Sequence, residues 1–222
     1  MLRSLFVAGL LALAAPRPAA VAPGYEIYAI EYGRLTGFPA NGLVLGADSA
    51  RKFELSMMVW LLRGEGRTIL VDAGFYRQQF LDSWSVKNFV KPSEAVAKFG
   101  VRPEDVTDII VSHMHWDHAD GADLFPNARI WVQEAELTHY RDPAQQRRTG
   151  VFPVDVAMFE AIERAGRLRT VPGDSQEVAP GVRVYIGGRH TKESQYVSVP
   201  TTSGATVVLA SDNAYLYENL EG

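Results

Sequence analysis

Three of the chain's five histidines stand within six positions, in Ser112-His113-Met114-His115-Trp116-Asp117-His118, directly after the β-branched run of residues 108–111. A strand that ends in a cluster of imidazoles demands a fold in which other polar groups reach the same edge. His113 and His115 are two apart, so on an extended segment their side chains share one face. Two imidazoles on one face can chelate a borderline divalent ion. Asp117 and His118 follow where a turn can bring them around a second ion, and histidine ligands commonly lean on carboxylate partners. Met114 and Trp116 alternate with the histidines and are expected to pack beneath them. The chain has no cysteine, which excludes disulfides, thiolate ligands and a cysteine nucleophile. Any metal must be held by imidazole or carboxylate.

With 222 residues, 47% of them hydrophobic, the chain is long enough for one domain with a sizeable core. Its formal charge of -4 argues against broad binding to a nucleic-acid backbone. Residues 1–22 read as a leader, with Arg3 ahead of an apolar run over residues 5–15 that is short for a membrane span. Ala12 and Ala14 offer a small-residue cleavage site; Ala20 and Ala22 repeat the spacing, but Pro23 follows. The expectation is a periplasmic or secreted protein with no stable membrane insertion once the leader is removed. An uncleaved N-terminal anchor is the alternative.

The body mixes strands and helices. Residues 26–32 alternate as a strand, and residues 36–53 are turn-rich and expected to form a loop. Residues 57–62 and 68–71 form a hairpin around Gly64-Glu65-Gly66, closed by Asp72 at its carboxyl end. A short helix is expected within residues 75–90, and another over residues 94–99, capped by Ser93 and ended by Gly100. Further helices are expected over residues 134–140 and 154–164. In the second, Val156, Phe159, Ile162 and Ala165 keep a helical period. Residues 130–132, 168–171, 182–186, 196–199 and 206–210 read as short strands. No regular βαβ crossover recurs, so layered sheets faced by helices fit better than a doubly wound fold. His190, in Gly187-Gly188-Arg189-His190-Thr191, and Asp212, in Ser211-Asp212-Asn213, stand at strand ends as Asp72 and the histidine cluster do. His139 has no second ligand at metal spacing and reads as surface or packing; Arg147-Arg148 reads as a solvated step.

The run over residues 113–118, with Asp72, His190 and Asp212, resembles the metal site of the metallo-β-lactamase superfamily of hydrolases. That resemblance implies an α+β protein, a four-layer αβ/βα sandwich with its metals at the edge of two packed sheets. Carried over, His113, His115 and His190 would bind a first metal, Asp117 and His118 would contribute to a second, and Asp212 would bridge both. Asp72 would support them from behind. The metal implied is zinc, two ions per complete domain, which would make a water acidic enough to attack a small-molecule substrate. Asp117 would orient that water or accept its proton. Tyr215, three residues past Asp212, resembles the tyrosine that contacts the lactone in the N-acyl-homoserine lactonase branch. Phe53, Met57, Met58, Phe75 and Tyr76 could supply an apolar groove for an acyl chain, with core packing the alternative for Met57 and Met58 at the start of a strand.

The chain departs from the pattern in three places. Arg189, Lys192 and Glu193 surround His190 where the family more often has glycine and proline, and Asn213 replaces a small residue. No histidine follows His190, although the family has a further ligand downstream. Residues 23–222 are therefore expected to be a hydrolase domain with its second half incomplete, a piece of a longer protein; a short variant with a depleted second metal site is the alternative. Competing functions are another hydrolase of the superfamily, for esters, phosphotriesters, β-lactams or thioesters, and a metal-binding but catalytically impaired protein. Either a monomer or a homodimer is expected, with Phe80, Trp84 and Phe89 as a dimer surface, a lid or internal packing.

Overall fold

In a computed structural model, residues 22–146, 150–188 and 190–221 are described. The segment expected to be a leader, apart from Ala22, lies outside the described residues, as do Arg147, Arg148 and Arg189. No helix among the described residues is long and apolar enough to cross a membrane.

Ten strands form two sheets. The first has the order β1 (Glu26–Pro39), β2 (Lys52–Gly64), β3 (Arg67–Val71), β4 (Asp108–Ile110), β5 (Arg129–Gln133) and β6 (Leu168–Val171). Its first three strands pair antiparallel, and β3 to β6 run parallel. The second sheet is antiparallel, in the order β10 (Thr206–Leu209), β9 (Gln195–Pro200), β8 (Val182–Ile186) and β7 (Gln176–Ala179).

The central strands read as continuous apolar runs because both of their faces are covered. Leu61, Leu70 and Ile109 belong to a core beneath the helices, while their neighbours Leu62, Ile69, Val71 and Ile110 pack between the sheets against Val184, Val197 and Val199. The helical layer comprises α1 (Gln78–Trp84), α2 (Pro92–Ala97), α3 (Trp116–Ala119), α4 (Glu134–Arg141) and α5 (Pro153–Arg164), and a short α6 (Glu218–Glu221) ends the described chain. On the second sheet, Tyr185 and Tyr196 stack at 5.2 Å on the face opposite that core.

Several local expectations change. The turn-rich segment expected to be a loop contributes strand at both ends, because β1 continues to Pro39 through two register shifts and β2 begins at Lys52. Ser93 does not cap α2; the helix starts at Pro92, whose fixed φ suits the first helical position, and Lys91 precedes it. The strand β7 has no expectation behind it, since Gln176 and Glu177 break its apolar pattern. Phe80 and Phe89 pack internally, and Trp84, 44% exposed, stacks at 5.6 Å on Trp116.

Gly121 is required by a close approach. A Cβ there would lie 2.2 Å from the Ala73 carbonyl oxygen, where Gly121 N–H donates to Gly74 O and Ala73 N–H donates to His118 O. The end of β3 is thus laced to the turn that follows the histidines.

Asp155, in the first turn of α5, is fully buried and accepts from Phe152 N–H at 3.2 Å. Burial, and then the neighbouring charge of Asp120, push its carboxyl up to about 8. Between the ordinary value of 3.8 and about 8 the folded state holds a proton that the unfolded chain has released. Stability therefore falls as pH rises through that window. Asp155→Asn cannot ionise and keeps the acceptor for Phe152. Its thermal midpoint should gain on the parent's between about pH 5 and pH 8; an equal difference at both ends would contradict this assignment.

Candidate metal centre

The carboxyl ends of β3, β4, β8 and β10 open toward one point, where the chain turns polar at Asp72, His113, His190 and Asp212. Asp72 sits at φ 62, a left-handed conformation uncommon outside glycine. From there its Oδ1 accepts Ser112 N–H at 2.7 Å, and its Oδ2 lies 2.8 Å from His118 Nδ1 and accepts the Ser112 hydroxyl at 3.0 Å. Holding Nδ1 leaves His118 Nε2 facing inward. On His113 the same is done by Ser112 Oγ, 3.0 Å from Nδ1.

Three imidazole nitrogens then converge. His115 Nδ1 lies 3.1 Å from His113 Nε2 and 3.0 Å from His190 Nε2. Asp212 Oδ2 is 3.2 Å from His190 Nε2 and 3.9 Å from His113 Nε2. These four donor atoms lie within 4.8 Å of one another. Asp212 Oδ1 faces the other way, 3.3 Å from His118 Nε2, and Asp117 Oδ2 is 3.7 Å from that nitrogen. Asp212 therefore has one oxygen in each half of the site. His139 lies outside this group, its ring 4.9 Å from that of Tyr140.

The donor set fits a divalent cation. Three neutral imidazoles cannot all donate to one another through the nitrogens that meet here, whereas one cation accepts all three lone pairs. His113 and His115 converge from a loop rather than from an extended strand, because β4 ends at Ile110 and α3 begins at Trp116.

Electrostatics divide the site. Burial holds His113 well below the ordinary histidine range, and the neighbouring His118 pushes it further. Burial also opposes charge on His118, but Asp212, Asp72 and Asp117 outweigh it and raise that imidazole well above the ordinary range. Burial would raise Asp212, yet His118 and hydrogen bonds from His118 and His190 hold it well below the usual carboxylate range. A neutral His113 thus sits beside the ionised Asp212 carboxylate, an arrangement that favours a cation.

Tyr215 donates to Asp212 Oδ2 at 2.9 Å and lies 3.4 Å from His190 Nδ1, so its hydroxyl reaches back over the pocket. Burial and the Asp212 charge raise its pKa, keeping the phenol a donor.

The expected apolar groove is not assembled. Met57 and Phe75 belong to the helix-side core, Met58 is exposed, Phe53 lies under Arg51, and Tyr76 bonds Asp123. Strand alternation separates Met57 from Met58, and the remaining side chains are taken by other partners.

Three residues without an expected role join the site. Asn213 Oδ1 accepts Gly188 N–H at 2.7 Å and the Ser194 hydroxyl at 2.9 Å, fastening the His190 loop to the Asp212 turn. Ser211, at φ 50, places its hydroxyl 2.8 Å from Ser112 Oγ. Glu136 is buried behind the histidine loops. Asn213 stood out only as a departure, and the other two carry no signal in sequence.

Residues 55–220 match the metallo-beta-lactamase superfamily. The chain belongs to that superfamily. It is similar to an N-acyl homoserine lactonase of Bacillus cereus, 30% identical in an alignment 182 residues long that covers 75% of this chain and 68% of the relative. Among solved structures, a quorum-quenching N-acyl homoserine lactone lactonase superposes with a TM-score of 0.72 at 24% identity, covering 90% of this chain and 78% of its own. AidC, a dizinc quorum-quenching lactonase in complex with the product N-hexanoyl-L-homoserine, does so at 0.65 and 16% identity, covering 85% and 71%. The superfamily's mixed sheets and helices are those described above, and the chain is a metallo-β-lactamase-superfamily hydrolase with lactonases among its relatives.

His113→Ala and His190→Ala each remove one of the three converging nitrogens. Each should weaken retention of divalent metal by more than the about 10–100-fold typical of losing an outer partner. Elemental analysis after gel filtration reads this directly, and a parent that retains no metal would remove the assignment.

Proposed function

We propose that this protein is a zinc-dependent hydrolase that opens the lactone ring of N-acyl-homoserine lactones, with His113, His115, His190 and Asp212 holding one ion and Asp117, His118 and Asp212 contributing to a second. The observation that carries the reading is the Tyr215 hydroxyl, a protonated donor suspended over the imidazole pocket. When bound, divalent ions there supply Lewis acidity toward a carbonyl oxygen and lower the pKa of water.

Ring opening adds water across the ester: a C–O bond forms at the carbonyl carbon, the ring C–O bond breaks, and the departing oxygen takes a proton. Asp117 serves the first half. Its backbone carbonyl accepts from the Tyr32 hydroxyl at 3.1 Å, and its carboxylate, 3.7 Å from His118 Nε2, is placed to take a proton from attacking water. Tyr215 serves the second half by donating to a lactone oxygen as negative charge develops there. Asp212 holds the phenol in place until substrate arrives. The neutral His113 keeps its lone pair free, since Ser112 engages its other nitrogen.

The leader supports export, so the lactone would be met in the periplasm or outside the cell. Expression in a bacterial host should give a periplasmic form lacking at least residues 1–14. Mass spectrometry finding only unprocessed chain in the cytoplasm would remove that placement.

Tyr215→Phe keeps the aromatic body and loses the donor. It should retain fold and metal content while slowing lactone opening about 10²-fold or more. Assays against a long-chain acyl-homoserine lactone, an aryl ester and a β-lactam, with metal measured in parallel, test both role and substrate. A metal-loaded Tyr215→Phe as fast as the parent would refute the tyrosine's role. A parent that cleaves the ester or β-lactam but not the lactone would assign the site to another hydrolase of the superfamily.

A further inference from the structure

The first turn of α4 carries a carboxylate that the chemistry above does not use. Glu136 is fully buried, whereas Glu134 in the same turn is exposed. Unpaired N–H groups and the helix dipole favour an acid in a first turn, but they do not require one inside the protein. Burying a carboxylate is costly unless its oxygens are satisfied.

Both oxygens are satisfied, by two different segments. Oε1 accepts Met114 N–H at 3.0 Å, and Oε2 accepts Glu193 N–H at 2.7 Å. Met114 stands between His113 and His115, and Glu193 is three residues beyond His190. One side chain therefore clasps the two loops that deliver all three imidazoles. The loops differ in what else holds them. The Met114 side chain is buried in the helix-side core, which fixes its loop from below. The described residues between β8 and Ser194 contribute nothing to either apolar core, so the His190 loop depends on polar links. Asn213 supplies one near Gly188, and Glu136 supplies another at Glu193.

We propose that Glu136 is a positioning residue that sets the separation between the His113–His115 loop and the His190 loop, and thereby the metal affinity of the three-imidazole pocket. The proposal rests on the reading of that pocket as a metal centre. A helix-capping role alone would lower stability and leave metal affinity untouched, which gives the test its contrast.

Glu136→Gln keeps the volume but turns an –NH2 group toward one of the two amides. Glu136→Asp keeps the charge but is one methylene too short to reach both loops. Asp108→Asn serves as a control at the opposite end of β4. It is another buried carboxylate, held by Arg67 at 2.9 Å, Arg129 at 2.8 Å and Trp131 at 3.0 Å. Zinc affinity is measured by competition with a chromophoric chelator, the visible spectrum is recorded with cobalt(II) in place of zinc, and melting is followed without metal.

Both Glu136 variants should bind zinc about 10–100-fold more weakly than the parent and alter the cobalt(II) bands. Asp108→Asn should melt earlier yet bind zinc within about twofold of the parent. A Glu136 variant that folds only when zinc is supplied also supports the proposal. Glu136 variants that bind zinc like the parent with an unchanged cobalt spectrum overturn it, and the metal reading survives. Glu136 variants that stay unfolded with zinc while Asp108→Asn folds also overturn it, assigning Glu136 to the general core. A parent that binds neither zinc nor cobalt removes the metal reading and this inference together.

Discussion

The site is organised around the Asp72 carboxylate. Its oxygens meet the Ser112 backbone, the Ser112 hydroxyl and the outer nitrogen of His118, so one side chain at the end of β3 fixes the start of the histidine loop and its last imidazole. The left-handed backbone of Asp72 turns that carboxylate toward β4 instead of onward along its own strand. Gly121 completes the arrangement by letting the turn after the histidines lie against Ala73 and Gly74. Strain of this kind persists only where surrounding contacts over-determine it. The contacts of the Asp72 carboxylate with Ser112, His118 and Ser211 provide that determination.

The second requirement is that two sheets arrive at one point in register. Apolar packing between them is non-directional and would tolerate small slips, so the registration falls to polar ties at the rim. Gln195, at the start of β9, donates its backbone N–H to Ser112 O at 2.8 Å and its side chain to Val111 O at 2.7 Å. Gln133 donates to Gln195 Oε1 at 2.9 Å, which satisfies an otherwise costly buried amide. Ser211 meets Ser112, and Asn213 meets Gly188 and Ser194. The ties of Gln195 and Ser211 to the β4 end and of Gln133 to Gln195 are buried or half-buried and join the two sheets, whereas those of Asn213 fasten loops of the second sheet to each other.

Electrostatic roles follow from position within this frame. His113 and His118 share a motif yet are driven in opposite directions. The first is desolvated among other imidazoles, while the second is encircled by Asp72, Asp117 and Asp212. Asp212 stays ionised despite its burial because imidazoles face it from both halves of the site. Burial, together with the carboxylate it touches, raises the Tyr215 phenol further above neutrality. Asp212, between two groups of histidines, thus holds a charge with no lysine or arginine among the contacts described.

By itself, the sequence determined which imidazoles and carboxylates stand together and the strand ends that present them. His113, His115, His118, His190 and Asp212 are legible because imidazoles and carboxylates directly after apolar runs break a local pattern. The central hairpin, β4 and α5 are legible for a related reason, since burial on one face or both imposes a periodicity that composition reveals. Local signals failed where a competing partner decided the outcome. Ser93 resembled a cap until Pro92 claimed the first helical position, β7 hid behind two polar residues, and Met57 and Phe75 went to the core instead of a groove. Only the tertiary structure decided which oxygen of Asp212 faces which histidine, that Asn213 locks the His190 loop, and that Glu136 is inside while Glu134 is outside. Those facts depend on contacts between segments many residues apart, and a helix's first-turn glutamate looks the same in sequence whether water or two backbone amides satisfy it.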